Sequence, residues 1–168
     1  MTSDAIFRSH NEHVVLTDGV TVDIDALMDA ALGIGVDPST IRIPEVPISW
    51  FSCELLPDWY DDWVLSERER FRLMALHTLE WRSAWYLAAG DFRSAVECAL
   101  AAVHLAPLRE SSYRALVEAH IADGNISEAI RQYRRYQETL MAELGVEPTS
   151  QMRALFEGVD PAAISNVA

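Results

Sequence analysis

The sequence predicts an all-α fold of antiparallel helical hairpins with a short N-terminal β-hairpin, and three observations carry that prediction. The first is an internal repeat, in which Gly90-Asp91-Phe92 is answered by Gly124-Asn125-Ile126 at an offset of 34 residues. The second is that residue size repeats at the same offset. Ala88 matches Ala122, Ala95-Val96 matches Ala129-Ile130, Leu79 matches Tyr113, and Tyr86 meets His120 as a large packing residue. The third is Pro107, which cannot continue a helix but is well placed to begin the next one.

A period of 34 residues is that of tetratricopeptide-like hairpins. Each unit is two helices closed by a tight turn, and Gly90 and Gly124 supply the positive φ that such a turn requires. Ala95 and Ala129 let the paired helices touch where a larger side chain would hold them apart. Two hairpins bury only part of their apolar faces, so the flanking segments must cap them.

Taken in order, Val14-Val15-Leu16 and Val20-Thr21-Val22 read as short strands joined by Thr17-Asp18-Gly19, whose Asp-Gly is a hairpin signal. A lone hairpin is marginal in water, so it reads as an edge or the end of a larger unit. Asp23 is a candidate N-cap for a helix through Leu32, with Ile24, Leu27, Met28 and Ala31 on one side and Gly33 as its stop. Residues 33–57 carry Pro38, Pro44, Pro47 and Pro57 and read as an irregular apolar wrap. Trp50, Phe51, Leu55, Leu56, Trp59, Tyr60 and Trp63 are expected to fill the core. The interleaved Asp58, Asp61 and Asp62 stand where a base-stacking surface would want cations.

Ser66 and Glu69 have capping-box spacing, which predicts a long helix from there to Ala89. Asp91 to Ala106 is its partner, with Val96, Ala99, Leu100 and Val103 on one face. Leu108 to Asp123 and Asn125 to Leu144 form the second hairpin, with Asn125 and Glu128 again at capping-box spacing. Gly145 ends that helix, and Pro148-Thr149 opens a short last one through Met152, Leu155 and Phe156.

Composition narrows the function classes. A chain of 168 residues can hold a full core, removing about 70% of its unfolded surface from water. Thirteen basic residues, all Arg, against twenty-six acidic ones give a formal charge of −13, which repels phosphate backbones and anionic membranes. Direct DNA binding by this chain is therefore disfavoured. Cys53 and Cys98 form neither a CxxC pair nor a disulfide framework and read as buried free thiols in a reducing cytoplasm. Asp4, Arg8, His10 and Glu12 break any N-terminal apolar run, so the chain is expected to be cytoplasmic, without a signal peptide or membrane span.

No catalytic constellation stands out. His77 and Glu80 lie one helical turn apart, half of a metal site without a second half. No nucleophile elbow, phosphate loop or ordered triad is present, so no enzyme activity, cofactor, metal or DNA-contacting residue is assigned. The first helices of stacked hairpins line a common face, which would present His77, Glu80 and Ala84, then Ser111, Arg114, Glu118 and Ile121. His77, Glu80, Arg114, Glu118 and Ile121 are the candidate partner-binding residues. The competing reading is that Ile41, Ile43, Val46 and Ile48 of the Pro-rich segment already cap this face. Arg131, Arg134 and Arg135 read as an ordinary solvated stripe.

An ordered set of strings carries a family resemblance. It comprises Asp62-Trp63, Glu67-Arg68-Glu69-Arg70, Ala88-Ala89-Gly90-Asp91-Phe92, Ala106-Pro107-Leu108-Arg109-Glu110, Gly124-Asn125, and Glu143-Leu144-Gly145-Val146-Glu147-Pro148. Together they resemble the bacterial transcriptional activator domain of Streptomyces antibiotic regulatory proteins, from about Val20 to Val159. The resemblance implies three parts. Residues 1–22 resemble the end of a winged-helix wing, residues 23–159 are the helical activator domain, and residues 160–168 are a flexible tail. It implies a noncatalytic regulatory domain whose partner is a protein: itself, RNA polymerase or another regulator. DNA would be reached only through a winged-helix domain, whose recognition helix has no counterpart upstream of Val14. The alternative is a free-standing tetratricopeptide-like adaptor unconnected with transcription.

Overall fold

The longest element, α2 (Asp62–Ala88, 27 residues), is a rod of about 40 Å. The computed structural model describes residues 6–10, 13–17, 20, 22–32 and 46–157. Their order is β1 (Phe7–His10), β2 (His13–Leu16), α1 (Asp23–Leu32), a 3-10 turn (Ile48–Ser52), α2, α3 (Phe92–Leu105), α4 (Glu110–Ala122), α5 (Ile126–Leu144) and α6 (Ser150–Ala154). The predicted class holds, with helices throughout the body and one short antiparallel hairpin at the N-terminal end.

The two repeat turns are built alike. Gly90 has φ +78° and Gly124 φ +77°. The amide of Gly90 donates to Leu87 O and that of Asp91 to Tyr86 O. In the second turn Gly124 donates to Ile121 O and Asn125 to His120 O. Both are Schellman motifs, which satisfy the last helical carbonyls and require a left-handed residue. Asp91 then starts α3 by accepting the amide of Ser94 at 3.1 Å. Between the hairpins, the amide of Arg109 donates to Ala106 O at 3.0 Å, closing a turn with Pro107 at its second position.

Helix α3 lies between two apolar clusters and contributes a different face to each. Cys98, Ala101 and Ala102 pack with Leu27, Val46, Phe51, Ala75, Leu76 and Leu79. Ala99 and Val103, four residues apart, join Tyr113, Leu116, Val117, Ala129, Ile130, Tyr136, Leu140, Met152 and Phe156. Ala95 and Ala129 are fully buried, as the close approach of the paired helices demands. Tyr113 lies 4.6 Å from Tyr136 between ring centroids. The last helix, α6, seats Met152 in this second cluster, with Thr149 as its N-cap.

The segment ahead of α2 caps the first hairpin. Val46 and Phe51 are buried, and Arg82 on α2 donates from Nη1 to Val46 O at 3.0 Å. The Arg82 guanidinium also lies over the rings of Phe51 and Tyr86. Ile41 and Ile43, part of the expected cap, lie outside the described residues. Val46 and Ile48 rest on the α2–α3 cluster.

Three sequence expectations are corrected. β2 covers Val14–Leu16 as expected, but its partner is β1 rather than Val20–Val22, in the register Phe7 to Leu16, Arg8 to Val15, Ser9 to Val14 and His10 to His13. Phe7 gives Leu16 a large apolar cross-strand neighbour, while Val20 folds back with its amide on Thr17 O. The expected turn residues Asp18 and Gly19 lie outside the described residues. Helix α2 begins at Asp62, not Ser66, because Asp61 O already accepts the amides of Val64 and Leu65. Ser66 sits inside the helix with its hydroxyl on Asp62 O, and Glu69 turns to Arg72. Nor does Asn125 form a capping box. Its amide group donates to Asp123, and Glu128 pairs with Arg131 and Gln132.

Candidate functional site

Helices α2 and α4, the first helices of the two hairpins, are joined by one carboxylate. Glu80 Oε1 accepts from Arg109 Nε at 2.8 Å, Ser111 Oγ at 2.7 Å and Ser112 Oγ at 2.7 Å. Its Oε2 accepts from Arg109 Nη2 at 3.2 Å. Burial pushes the Glu80 carboxyl pKa upward, but the bonds from Arg109, Ser111 and Ser112 outweigh it and hold the value below the ordinary 4.5. Glu80 is thus a fixed ionic clasp whose lone pairs are largely committed within the chain.

A second clasp extends the row to α6. Glu110, at the start of α4, accepts the amide of Thr149 at 2.9 Å and also bonds its hydroxyl. Arg114 Nη1 donates to Gln151 at 3.0 Å, and its Nε lies 3.9 Å from Glu118. Glu118 is half-buried, and that burial raises its pKa despite Arg114, opposite in direction to Glu80. Ile121 is half-buried against the second core cluster. Of the five candidates, His77 is exposed, Arg114 and Glu118 are partly exposed along α4, Glu80 is the clasp, and Ile121 backs the face from the core side. The structure places them along two adjoining helices and does not converge them on one point.

The clasp positions a surface groove of about 520 Å³ between α2 and the α3–α4 connection. Leu73, Leu76 and Leu108 form apolar walls, with Leu73 and Leu108 about 40% open to solvent. Arg72 and Arg109 flank them. Arg72 is held by a bidentate contact to Glu69, and Arg109 by Glu80. Leu73 carries no mark of this role in the sequence, and Arg72 reads there only as part of a solvated helix start. Arg109 and Leu108, however, stand in the Pro-Leu-Arg-Glu string that carried the family resemblance.

The aromatic run ahead of α2 departs from its expected role. Phe51 is buried and Trp50 half-buried, but Leu56, Trp59, Tyr60 and Trp63 are exposed. Helix α2 starts early enough that Val64, fully buried, takes the inward position and turns its neighbour Trp63 out.

The remaining chemistry is sparse. Cys98 is buried as expected, and burial pushes its thiol up to about 11, far from a reactive thiolate at neutral pH. Cys53, expected to be buried, is instead exposed just past the 3-10 turn, with its thiol on Ser49 O. Among the described residues no group of three or more His, Cys, Asp or Glu side chains could hold a metal ion, and no helix is long and apolar enough to cross a membrane.

A family model described as the bacterial transcriptional activator domain matches residues 46–159. The chain belongs to that family. No curated protein sequence matches it. The matched part of this activator domain runs from the wrap at Val46 through α6, so it contains both hairpins, the Glu80 clasp and the groove. It starts after α1, later than the resemblance read from the sequence. The domain is of the regulatory kind that belongs to transcriptional regulators, and its helical body accords with that family.

Proposed function

We propose that this activator domain is a noncatalytic effector module, of the Streptomyces antibiotic regulatory protein type, that docks a protein on the face of α2, α4 and α6. The observation that carries the reading is the groove with Leu73 and Leu108 open to solvent, held in shape by the Glu80 clasp within a domain of a regulator family. An apolar groove flanked by charges suits a helix or loop of another protein, with the charges fixing its orientation. His77, Arg114 and Glu118 are exposed or half-buried side chains of that face outside the groove, Glu80 positions the helices and Ile121 supports α4. The partner is RNA polymerase, another regulator or a second copy of the chain. DNA is reached through a winged-helix unit, in the cytoplasm. A free-standing adaptor outside transcription is disfavoured by the family.

Binding of purified RNA polymerase holoenzyme to the full chain tests this reading. Leu73→Glu and Arg114→Glu, both at partly exposed positions, are each expected to weaken binding at least tenfold with little change in melting temperature. If Arg114→Glu instead lowers stability and leaves binding intact, Arg114 serves only to hold α6. Unchanged binding by both variants contradicts the proposed face.

A further inference from the structure

The loop leading into α2 displays aromatic side chains on a rigid support. Arg68, six residues after the start of α2, donates from Nε to Leu55 O at 2.8 Å and from Nη2 to Leu56 O. Its Nη1 pairs with Glu54 at 2.9 Å, and its guanidinium lies over the Tyr60 ring, 5.8 Å from the centroid. This one side chain holds a loop in which Leu56 (φ +47°) and Asp58 (φ +69°) are in the left-handed region. Beyond it stand Trp59, Tyr60 and Trp63, each more than half exposed, with the two indoles edge to face at 6.4 Å.

The charge around these rings is one-sided. Asp58, Asp61 and Asp62 are exposed and make no ion pair among the described residues. Arg68 is already committed to two carbonyls and Glu54. The surface therefore combines exposed π faces with unpaired carboxylates, which attracts cations and repels phosphates. A second copy would bring the same three carboxylates against themselves.

We propose that Trp59, Tyr60 and Trp63 form a docking surface for a basic, Arg- or Lys-bearing segment of a protein partner. The cationic groups stack on the rings and pair with Asp58, Asp61 and Asp62. Tyr60 already receives one guanidinium from within the chain, which is the contact the partner extends. Exposed Trp and Tyr at a rigid site are the side chains that concentrate binding energy at interfaces. The inference goes beyond the docking face of α2, α4 and α6 and does not require that face to bind anything.

The test is a titration of the full chain with a synthetic peptide of alternating Arg and Ala, followed by tryptophan fluorescence, with a Glu-for-Arg peptide as control. Saturable binding of the Arg peptide alone is expected. Trp59→Ala with Tyr60→Ala is expected to weaken it at least tenfold while the melting temperature stays unchanged. Asp58→Asn with Asp61→Asn is expected to weaken it more at low salt than at high salt; Asn tolerates the backbone at position 58. Trp59→Phe is expected to retain most of the affinity. Equal binding of the Glu peptide, or undiminished binding by the double aromatic variant, overturns the proposal. So does patch-dependent dimerisation, which makes a second copy the occupant, or competition by single-stranded nucleic acid.

Discussion

Glu80 on α2 and Arg109 ahead of α4 are 29 residues apart in sequence and meet in a bidentate contact, with Nε to Oε1 at 2.8 Å. Two serine hydroxyls bond the same carboxylate. Because Arg109 and Glu80 are partly exposed, solvent screens the pair, and Glu80→Ala is expected to cost about 1–3 kcal/mol. The depressed Glu80 pKa adds a pH signature. Its contribution is fully present above 4.5 and is lost as pH falls through the lower folded value. Denaturation of wild type and Glu80→Ala at pH 7 and pH 3 checks both parts, since the difference between them is expected to shrink in acid.

Ala95 is fully buried, and its carbonyl accepts from Ser83 Oγ at 2.9 Å across the first hairpin. A leucine there has no room, so Ala95→Leu is expected to cost about 1–3 kcal/mol. Ala88→Leu, at an exposed position, is the control and is expected to leave the urea midpoint unchanged.

At Gly90 a Cβ would meet nothing within 4 Å, so substitution there acts on the backbone alone. With φ at +78°, Gly90→Ala is expected to cost about 1–2 kcal/mol. Gly90→Asn is expected to cost less, because Asn visits the left-handed region more readily. Thermal denaturation of the pair reads the difference directly.

His120 is buried in the last turn of α4, with Nδ1 lacking a partner among the described residues. Burial lowers its pKa from 6.5, against the opposing pull of Asp123. The neutral ring is favoured in the fold. Its contribution is therefore complete above 6.5 and declines as pH falls through 6.5 toward the lower folded value. His120→Tyr installs the residue that occupies the equivalent place in the first repeat, Tyr86, and removes the titration. The variant is expected to lose less stability than wild type between pH 7 and pH 5, as measured by urea midpoints.

The repeat was legible because its signals are local. Gly90 and Gly124 are demanded by the Schellman bonds of a single turn, and Ala95 and Ala129, five residues after each glycine, by contact between the helices that the turn joins. The start of α2 was less legible, since Asp58, Asp61 and Asp62 offer competing caps ahead of Ser66. Trp59, Tyr60 and Trp63 carry no mark of orientation, because composition cannot tell an inward ring from an outward one. The hairpin failed for a related reason: the Asp18-Gly19 signal is sufficient for a turn but does not choose the partner of Val14–Leu16. Glu80 was named from its helix face, yet its tie to Arg109, Ser111 and Ser112 spans the Pro107 turn and follows from no short-range pattern.

Fusion of the chain to a heterologous bacterial DNA-binding domain, read by a reporter under that domain's operator, tests the effector role most directly. Transcription is expected to rise above that given by the DNA-binding domain alone and to fall back with Leu73→Glu at equal protein levels. A fusion that is folded and bound to the operator, yet gives no more transcription than the DNA-binding domain by itself, contradicts the effector role.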